Sequence, residues 1–166
     1  MKKEQLLQTF AWFRAKPVRL KLLRALNLLC TGFTYAAFVL TVIFLAVKRD
    51  PVVIRLVLTC GVSFVVLSIF RHILNWPRPY EVYEIPPLID KDTRGNSFPS
   101  RHVFSICVIG TSMLYILPPL GTVLLCMAAV LAAARVLSGV HFIRDVAAGA
   151  AIGVFSAVAG FALMPH

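Results

Sequence analysis

The sequence predicts an all-α integral membrane protein: a bundle of about five transmembrane helices with an N-terminal interfacial amphipathic helix. Three observations predict it. Of the 166 residues, 59% are hydrophobic and only 14% charged, giving a mean hydropathy of +0.83, far above that of a soluble domain. Residues 28–47, LLCTGFTYAAFVLTVIFLAV, carry no charge, and at about 1.5 Å per residue such a helix crosses a hydrocarbon core of roughly 30 Å. Ahead of that run lies a basic arm.

The arm, residues 1–27, holds Lys2, Lys3, Arg14, Lys16, Arg19, Lys21 and Arg24, seven of the 17 basic residues in a chain of net charge +10. Leu6, Leu7, Phe10 and Phe13 recur beside them at helical spacing, which suits a helix lying flat on an anionic membrane surface. Nucleic acid is not expected as the partner, because lipid headgroups are the nearer polyanion for so apolar a chain. A cleavable signal peptide fits poorly: the basic region is too long, and no convincing small-residue cleavage site follows the apolar run.

Four further spans follow at 52–70, 99–117, 120–137 and 146–164, so residues 28–166 read as one bundle and the whole chain, 1–166, as one domain. No linker, low-complexity tract or repeat divides it. Cys30, Cys60, Cys107 and Cys126 each fall inside a span without zinc or disulfide spacing and read as apolar packing. The pattern GAAIG, Gly149 to Gly153, reads as close packing inside the bundle rather than a dimer seam; oligomeric state is not legible.

With five spans, parity brings Arg71, Arg78, Ser100, His102, Arg135, His141 and Asp145 to one membrane boundary. In RHILNWPRP, Arg71 ends the second span, and Pro77 and Pro79 hold Arg78 on a stiff segment. In NSFPSRHVFS, Pro99 suits a first helical turn and Ser97 its cap, leaving Ser100, Arg101 and His102 at a helix start that favours anions. In ARVLSGVHFIRD, His141 and Asp145 lie four apart, so the carboxylate can orient one ring nitrogen and leave the other nucleophilic, or else simply cap the last helix. Taken singly, each cluster has an ordinary explanation in capping and snorkelling. Together, three guanidiniums, a helix start and two histidines make a phosphoryl-transfer site.

These motifs resemble the three signatures of the type 2 phosphatidic acid phosphatase (PAP2) superfamily, K-x6-R-P, P-S-G-H and S-R-x5-H-x3-D, in order and with spacing intact. The resemblance implies that His141 is a nucleophile forming a phosphohistidine, that Asp145 orients it, and that His102 protonates the leaving oxygen and then serves as base. It assigns Arg71, Arg78, Arg135, Ser100 and the amide at Arg101 to the phosphoryl oxygens, and calls for no metal and no cofactor. The implied substrate is a membrane lipid phosphate, such as phosphatidylglycerophosphate, phosphatidate or undecaprenyl diphosphate. Arg71 stands where the signature has lysine, Ala134 where it has serine, and Arg101 where it has glycine; the Arg101 side chain is free to meet a second phosphate, a headgroup or solvent. The family's usual membrane form has six spans, so the first is missing here and the arm stands in its place.

Outside the motifs the site face gathers the arm plus Lys91 and Arg94, against Lys48, Arg49 and Arg55 opposite. The positive-inside rule therefore expects a bacterial plasma-membrane protein with a cytoplasmic site, although family members usually work on the outer face. The segment 80–98 is the expected specificity element, with Tyr80, Tyr83, Ile85 and Leu88 dipping into headgroups and Asp90 and Asp92 on a solvated turn rather than on a metal. A transporter would place its ionisable groups nearer the midplane, and a silent phospholipid-binding scaffold would lack one of the two histidines.

Overall fold

A computed structural model describes residues 3–89 and 93–164; Lys2, Asp90, Lys91, Asp92 and His166 lie outside the described residues. The elements are all helical: α1 (Lys3–Arg14), α2 (Pro17–Val47), α3 (Val52–Leu74), the short α4 (Pro79–Tyr83), α5 (Arg101–Ile116), α6 (Pro118–Leu137) and α7 (Ile143–Leu163). Four of them, α2, α3, α6 and α7, are long and apolar enough to cross a membrane. Their outer faces carry the exposed apolar side chains that a lipid solvent requires, Phe155 at 73% and Leu163 at 80% exposure among them.

The third expected span, α5, is shorter, with 16 residues, or about 24 Å of helix. It tolerates that length because it is the central helix: eleven of its residues, from Val103 to Met113, are buried by the others. Against it packs α7, whose glycines permit the approach. A Cβ on Gly149 would lie 2.6 Å from the Ser100 carbonyl oxygen, and one on Gly153 would lie 2.7 Å from that of Phe104. GAAIG is therefore a seam inside the bundle, as its small-residue spacing predicts.

The arm differs from expectation in two ways. The first transmembrane helix begins at Pro17, not residue 28, so the basic residues from Arg19 to Arg24 ride on the same continuous 31-residue helix as the span. Pro17 starts it because its missing N–H costs nothing at a first helical position. The apolar face of α1 does not lie on lipid either: Leu6, Phe10 and Phe13 are buried in a second core with Leu23, Ile85, Leu88 and Ala134, and only Leu7 of the predicted stripe is largely exposed. Ile85 and Leu88 are thus protein core rather than headgroup anchors. An amphipathic stripe serves either apolar partner, and a folded surface with a matching hollow excludes water from both sides.

α2 begins, α3 ends, α5 begins, α6 ends and α7 begins on one face of the bundle. Hydrogen bonds tie that face together: Arg24 Nε to the Leu88 carbonyl at 3.0 Å, Leu88 N–H to Ser138 at 3.1 Å, and Ser100 N–H to Asp145 at 2.8 Å. Cys30, Cys60 and Cys107 are buried free thiols, and Cys126 is exposed on α6.

Candidate active site

The α6–α7 turn carries His141. Gly139 takes φ +74°, a conformation open to glycine, and a Cβ there would meet the Phe10 ring at 2.6 Å. The turn is therefore pressed between α1 and the bundle. His141 is 1% exposed, and its backbone N–H reaches back to the Arg135 carbonyl at 3.3 Å. Burial pushes the imidazole down to about 4, with the Arg135 and Arg78 charges pushing the same way and Asp145 opposing them. At neutral pH the ring is uncharged, the state in which it can donate an electron pair.

Asp145 sits one turn into α7 and is fully buried. Its Oδ2 accepts from Ser97 Oγ at 2.6 Å and from the Phe142 N–H at 2.9 Å, and His141 Nδ1 approaches the same oxygen to 3.6 Å. That approach is longer than a hydrogen bond. The carboxylate thus does both things its position allowed, backing the start of α7 and facing the imidazole. Ser97 is not the cap of α5; Ser100 holds that place, with Pro99 before it.

The arginines come from three elements. Arg71, at the end of α3, donates to the carbonyls of Asn96, Ser97 and Pro99. Arg78 precedes α4 in an extended conformation and donates to Gly95 at 2.9 Å, Asn96 at 3.2 Å and Val140 at 3.3 Å. Arg135, in the last turn of α6, donates through Nη1 to Asn27 Oδ1 at 3.0 Å. All three are buried. Asn27 carried no signal in the sequence, being an isolated amide 108 positions from its partner.

The site has two flanks. Arg71, Arg78 and Arg101 line a polar cavity of about 260 Å³ on the α3 side. His102 is not in that cavity's wall; with Thr31, Thr34, Ser105 and Leu131 it borders a small hollow between α2, α5 and α6. Thr31 lies one turn from Asn27 and Leu131 one turn from Arg135, so His102 belongs to the Arg135 flank. Between the flanks, Ser100 Oγ, Arg135 Nε, His141 Nδ1 and Asp145 Oδ1 are buried without a hydrogen-bond partner. Buried polar atoms are rarely left so; of these, His141 Nδ1 faces Asp145 Oδ2 and Asp145 Oδ1 faces Arg144 Nε, each at 3.6 Å, which leaves the Ser100 hydroxyl and Arg135 Nε as donors suited to a polar ligand. Among the described residues no three His, Cys, Asp or Glu side chains gather as metal ligands do.

The fold is thus a membrane bundle that collects arginines, a buried histidine–aspartate pair and a helix start at one boundary. The chain belongs to the PAP2 superfamily, which it matches over residues 52–166. It is 32% identical over 114 residues to the bacitracin transport permease protein BcrC of Bacillus licheniformis, an alignment covering 66% of this chain and 56% of that protein. The chain thus spans little more than half of that relative's length. Its fold is that of LpxE from Aquifex aeolicus, with a TM-score of 0.69, 24% identity and 93% of each chain covered. It is also that of a transmembrane PAP2-type phosphatidylglycerolphosphate phosphatase from Bacillus subtilis, with a TM-score of 0.73, 19% identity, and 95% of this chain and 82% of that one covered.

Proposed function

We propose that the chain is a lipid phosphate phosphatase that works without a metal through a phosphohistidine on His141. The observation that carries this reading is the buried His141–Asp145 pair with two donors beside it, Ser100 Oγ and Arg135 Nε, that have no hydrogen-bond partner. Nδ1 faces Asp145, so Nε2 is the attacking atom. The approach of 3.6 Å closes to a hydrogen bond when substrate charge draws the ring, as catalytic pairs tighten on binding. Ser97 and the Phe142 amide hold the carboxylate still while this happens.

In the first step Nε2 bonds to phosphorus, the bond from phosphorus to the leaving oxygen breaks, and His102 gives that oxygen its proton. In the second, His102 takes a proton from water, the water oxygen bonds to phosphorus, and the P–N bond breaks to release phosphate and restore His141. Charge on the transferring oxygens is met by Arg71, Arg78 and Arg135, the Ser100 hydroxyl and the amide at Arg101. The backbone carbonyls of residues 95–97, 99 and 140 accept from Arg71 and Arg78 and hold the two guanidiniums in position. The substrate is a phosphomonoester or diphosphate of a membrane lipid, of the kind represented by phosphatidate, phosphatidylglycerophosphate or undecaprenyl diphosphate.

The test is phosphate release from a panel of lipid phosphates in detergent and chelator. Hydrolysis is expected to persist in chelator and to vanish in His141→Ala; equal release by both proteins, or strict dependence on added divalent metal, overturns the mechanism. The basic residues of α1 and α2 lie on the site face, and the positive-inside rule makes this a support for a site turned toward the cytoplasm of a bacterial plasma membrane. Rapid labelling of Asn96→Cys by a membrane-impermeant reagent in intact cells would reverse that orientation.

A further inference from the structure

Arg144 takes no part in the chemistry above, yet it stands beside Asp145 both in the chain and in space. Its Nε lies 3.6 Å from Asp145 Oδ1, an ion pair rather than a hydrogen bond. The two carboxylate oxygens therefore have separate partners. Oδ2 accepts from Ser97 and the Phe142 amide and faces His141, whereas Oδ1 accepts no hydrogen bond and faces Arg144.

The helix itself does not call for this cation. Arg144 lies in the first turn of α7, where the helix dipole favours acids and opposes bases. Its side chain is 59% exposed, and a long exposed side chain free to move gains little from one such pair. Here it is confined. The guanidinium carbon lies over two rings, 4.8 Å from the centre of Trp76 and 5.1 Å from that of Phe142, contacts that hold a guanidinium by its flat face. Phe98 packs on Trp76 at 4.8 Å, and Tyr83 meets Phe142 edge-on at 6.2 Å, so the stack joins α4 to the connections before α5 and α7.

Trp76 bears on both carboxylate oxygens. Its ring seats Arg144 against Oδ1, and its backbone carbonyl accepts from the Ser97 N–H at 2.9 Å, fixing the residue whose hydroxyl holds Oδ2. A buried carboxylate anchored at one oxygen is free to swing, and a seated charge opposite the other oxygen removes that freedom.

We propose that Arg144 is a positioning residue, seated by Trp76 and Phe142, that fixes the Asp145 carboxylate in its orientation toward His141. The inference rests on the proposed phosphatase reading and adds a residue to the same site. The charges that bear on His141 are those of Arg135, Arg78 and Asp145, and Arg71 and Arg78 act on Asp145 as well. Arg144 adds a cation to this set. Removing it makes the histidine–aspartate pair easier to protonate, so the acid limb of the activity moves to higher pH.

The experiment measures kcat, KM and the pH profile of the full chain in detergent, for the native protein, Arg144→Gln and Arg144→Lys, with thermal melts to verify folding. The substrate is whichever of phosphatidate, phosphatidylglycerophosphate and undecaprenyl diphosphate the native chain hydrolyses fastest. Arg144→Gln is expected to lower kcat about tenfold with KM little changed, and to raise the acid limb by roughly 0.3–0.7 of a pH unit, the scale of a partly exposed pair. Arg144→Lys, which keeps the charge, should hold the limb in place and recover most of kcat. A loss of kcat with an unmoved limb marks a merely structural part and overturns the role, as does native kcat with or without a change in KM. Should Arg144→Gln not fold, Trp76→Phe and Trp76→Leu pose the question through the seat: kcat kept by the ring and lost without it supports the role, and equal kcat refutes it. If the native chain hydrolyses none of the three lipids, the phosphatase reading fails, and the His141 imidazole is titrated directly by NMR of histidine-labelled protein, assigned with His141→Asn. A higher midpoint in Arg144→Gln than in the native chain and Arg144→Lys supports the positioning, and equal midpoints refute it.

Discussion

Replacing Gly149 with alanine tests whether the α5–α7 seam sets the geometry of the site. The added methyl would lie 2.6 Å from the Ser100 carbonyl oxygen and 3.3 Å from the amides of Ser100 and Phe104, whereas ordinary contact begins at 3.4 Å. The obstacle is backbone on a buried helix, so α7 has to move away by about 0.8 Å, the difference between those distances. Overpacking of this kind costs about 1–3 kcal/mol, offset in part by about 1 kcal/mol of helix propensity gained on losing glycine. The functional cost is larger. One turn earlier on α7, the Asp145 carbonyl accepts from Ser100 N–H at 2.8 Å, so the movement separates the histidine–aspartate pair from the start of α5. A displacement of about 1 Å between reacting groups lowers a rate about a hundredfold.

Gly149→Ala is therefore expected to lose about ten- to a hundredfold in lipid phosphate hydrolysis and to melt earlier in detergent. Gly61→Ala is the control, since a Cβ there meets nothing within 4 Å; it should keep native activity and melt no earlier. If Gly149→Ala matches Gly61→Ala in both rate and melting, the seam does not position the site.

Asn27→Ala removes the acceptor of Arg135 Nη1 and leaves that guanidinium, whose Nε already lacks a partner, free to turn; kcat/KM should fall about tenfold or more, with Asn27→Asp retaining most of it, and native kinetics in Asn27→Ala would refute the positioning role. His141 titrates at about 4 in the fold against an ordinary 6.5, so between those values the unfolded chain binds the extra proton: its contribution to stability, about 3 kcal/mol, is complete above pH 6.5 and is lost as pH falls toward 4. Melting temperatures of native protein and His141→Asn should converge over that window, and parallel decline would count against a neutral buried imidazole.

The spans were legible because an uncharged apolar run of twenty residues has few other uses. The pairing of His141 with Asp145 was legible from their separation of four residues, though the structure brings them together with His141 on the turn and only Asp145 on α7. The start of α2 was not, since a basic amphipathic stretch and an apolar one have different partners but the same backbone, and nothing local marks where lipid takes over from protein. The burial of Phe10 and Ile85 was equally hidden: amphipathicity specifies an apolar neighbour and leaves open whether it is a bilayer or Ala134. Asn27 and Ser97 act across the fold on Arg135 and Asp145, and such pairings become visible only when the helices are assembled.

The docking of α1 has a consequence for biogenesis. Phe10 is synthesised about 130 residues before the glycine that it packs against, and at roughly 5–20 residues per second that gap lasts on the order of ten seconds. Over that interval only part of its seat exists, since Leu23, Ile85 and Leu88 are already made while Ala134 and the α6–α7 turn are not. The arm thus starts as a half-closed clasp and shuts only when the last two helices arrive, so a ribosome stalled before residue 134 would leave it ajar.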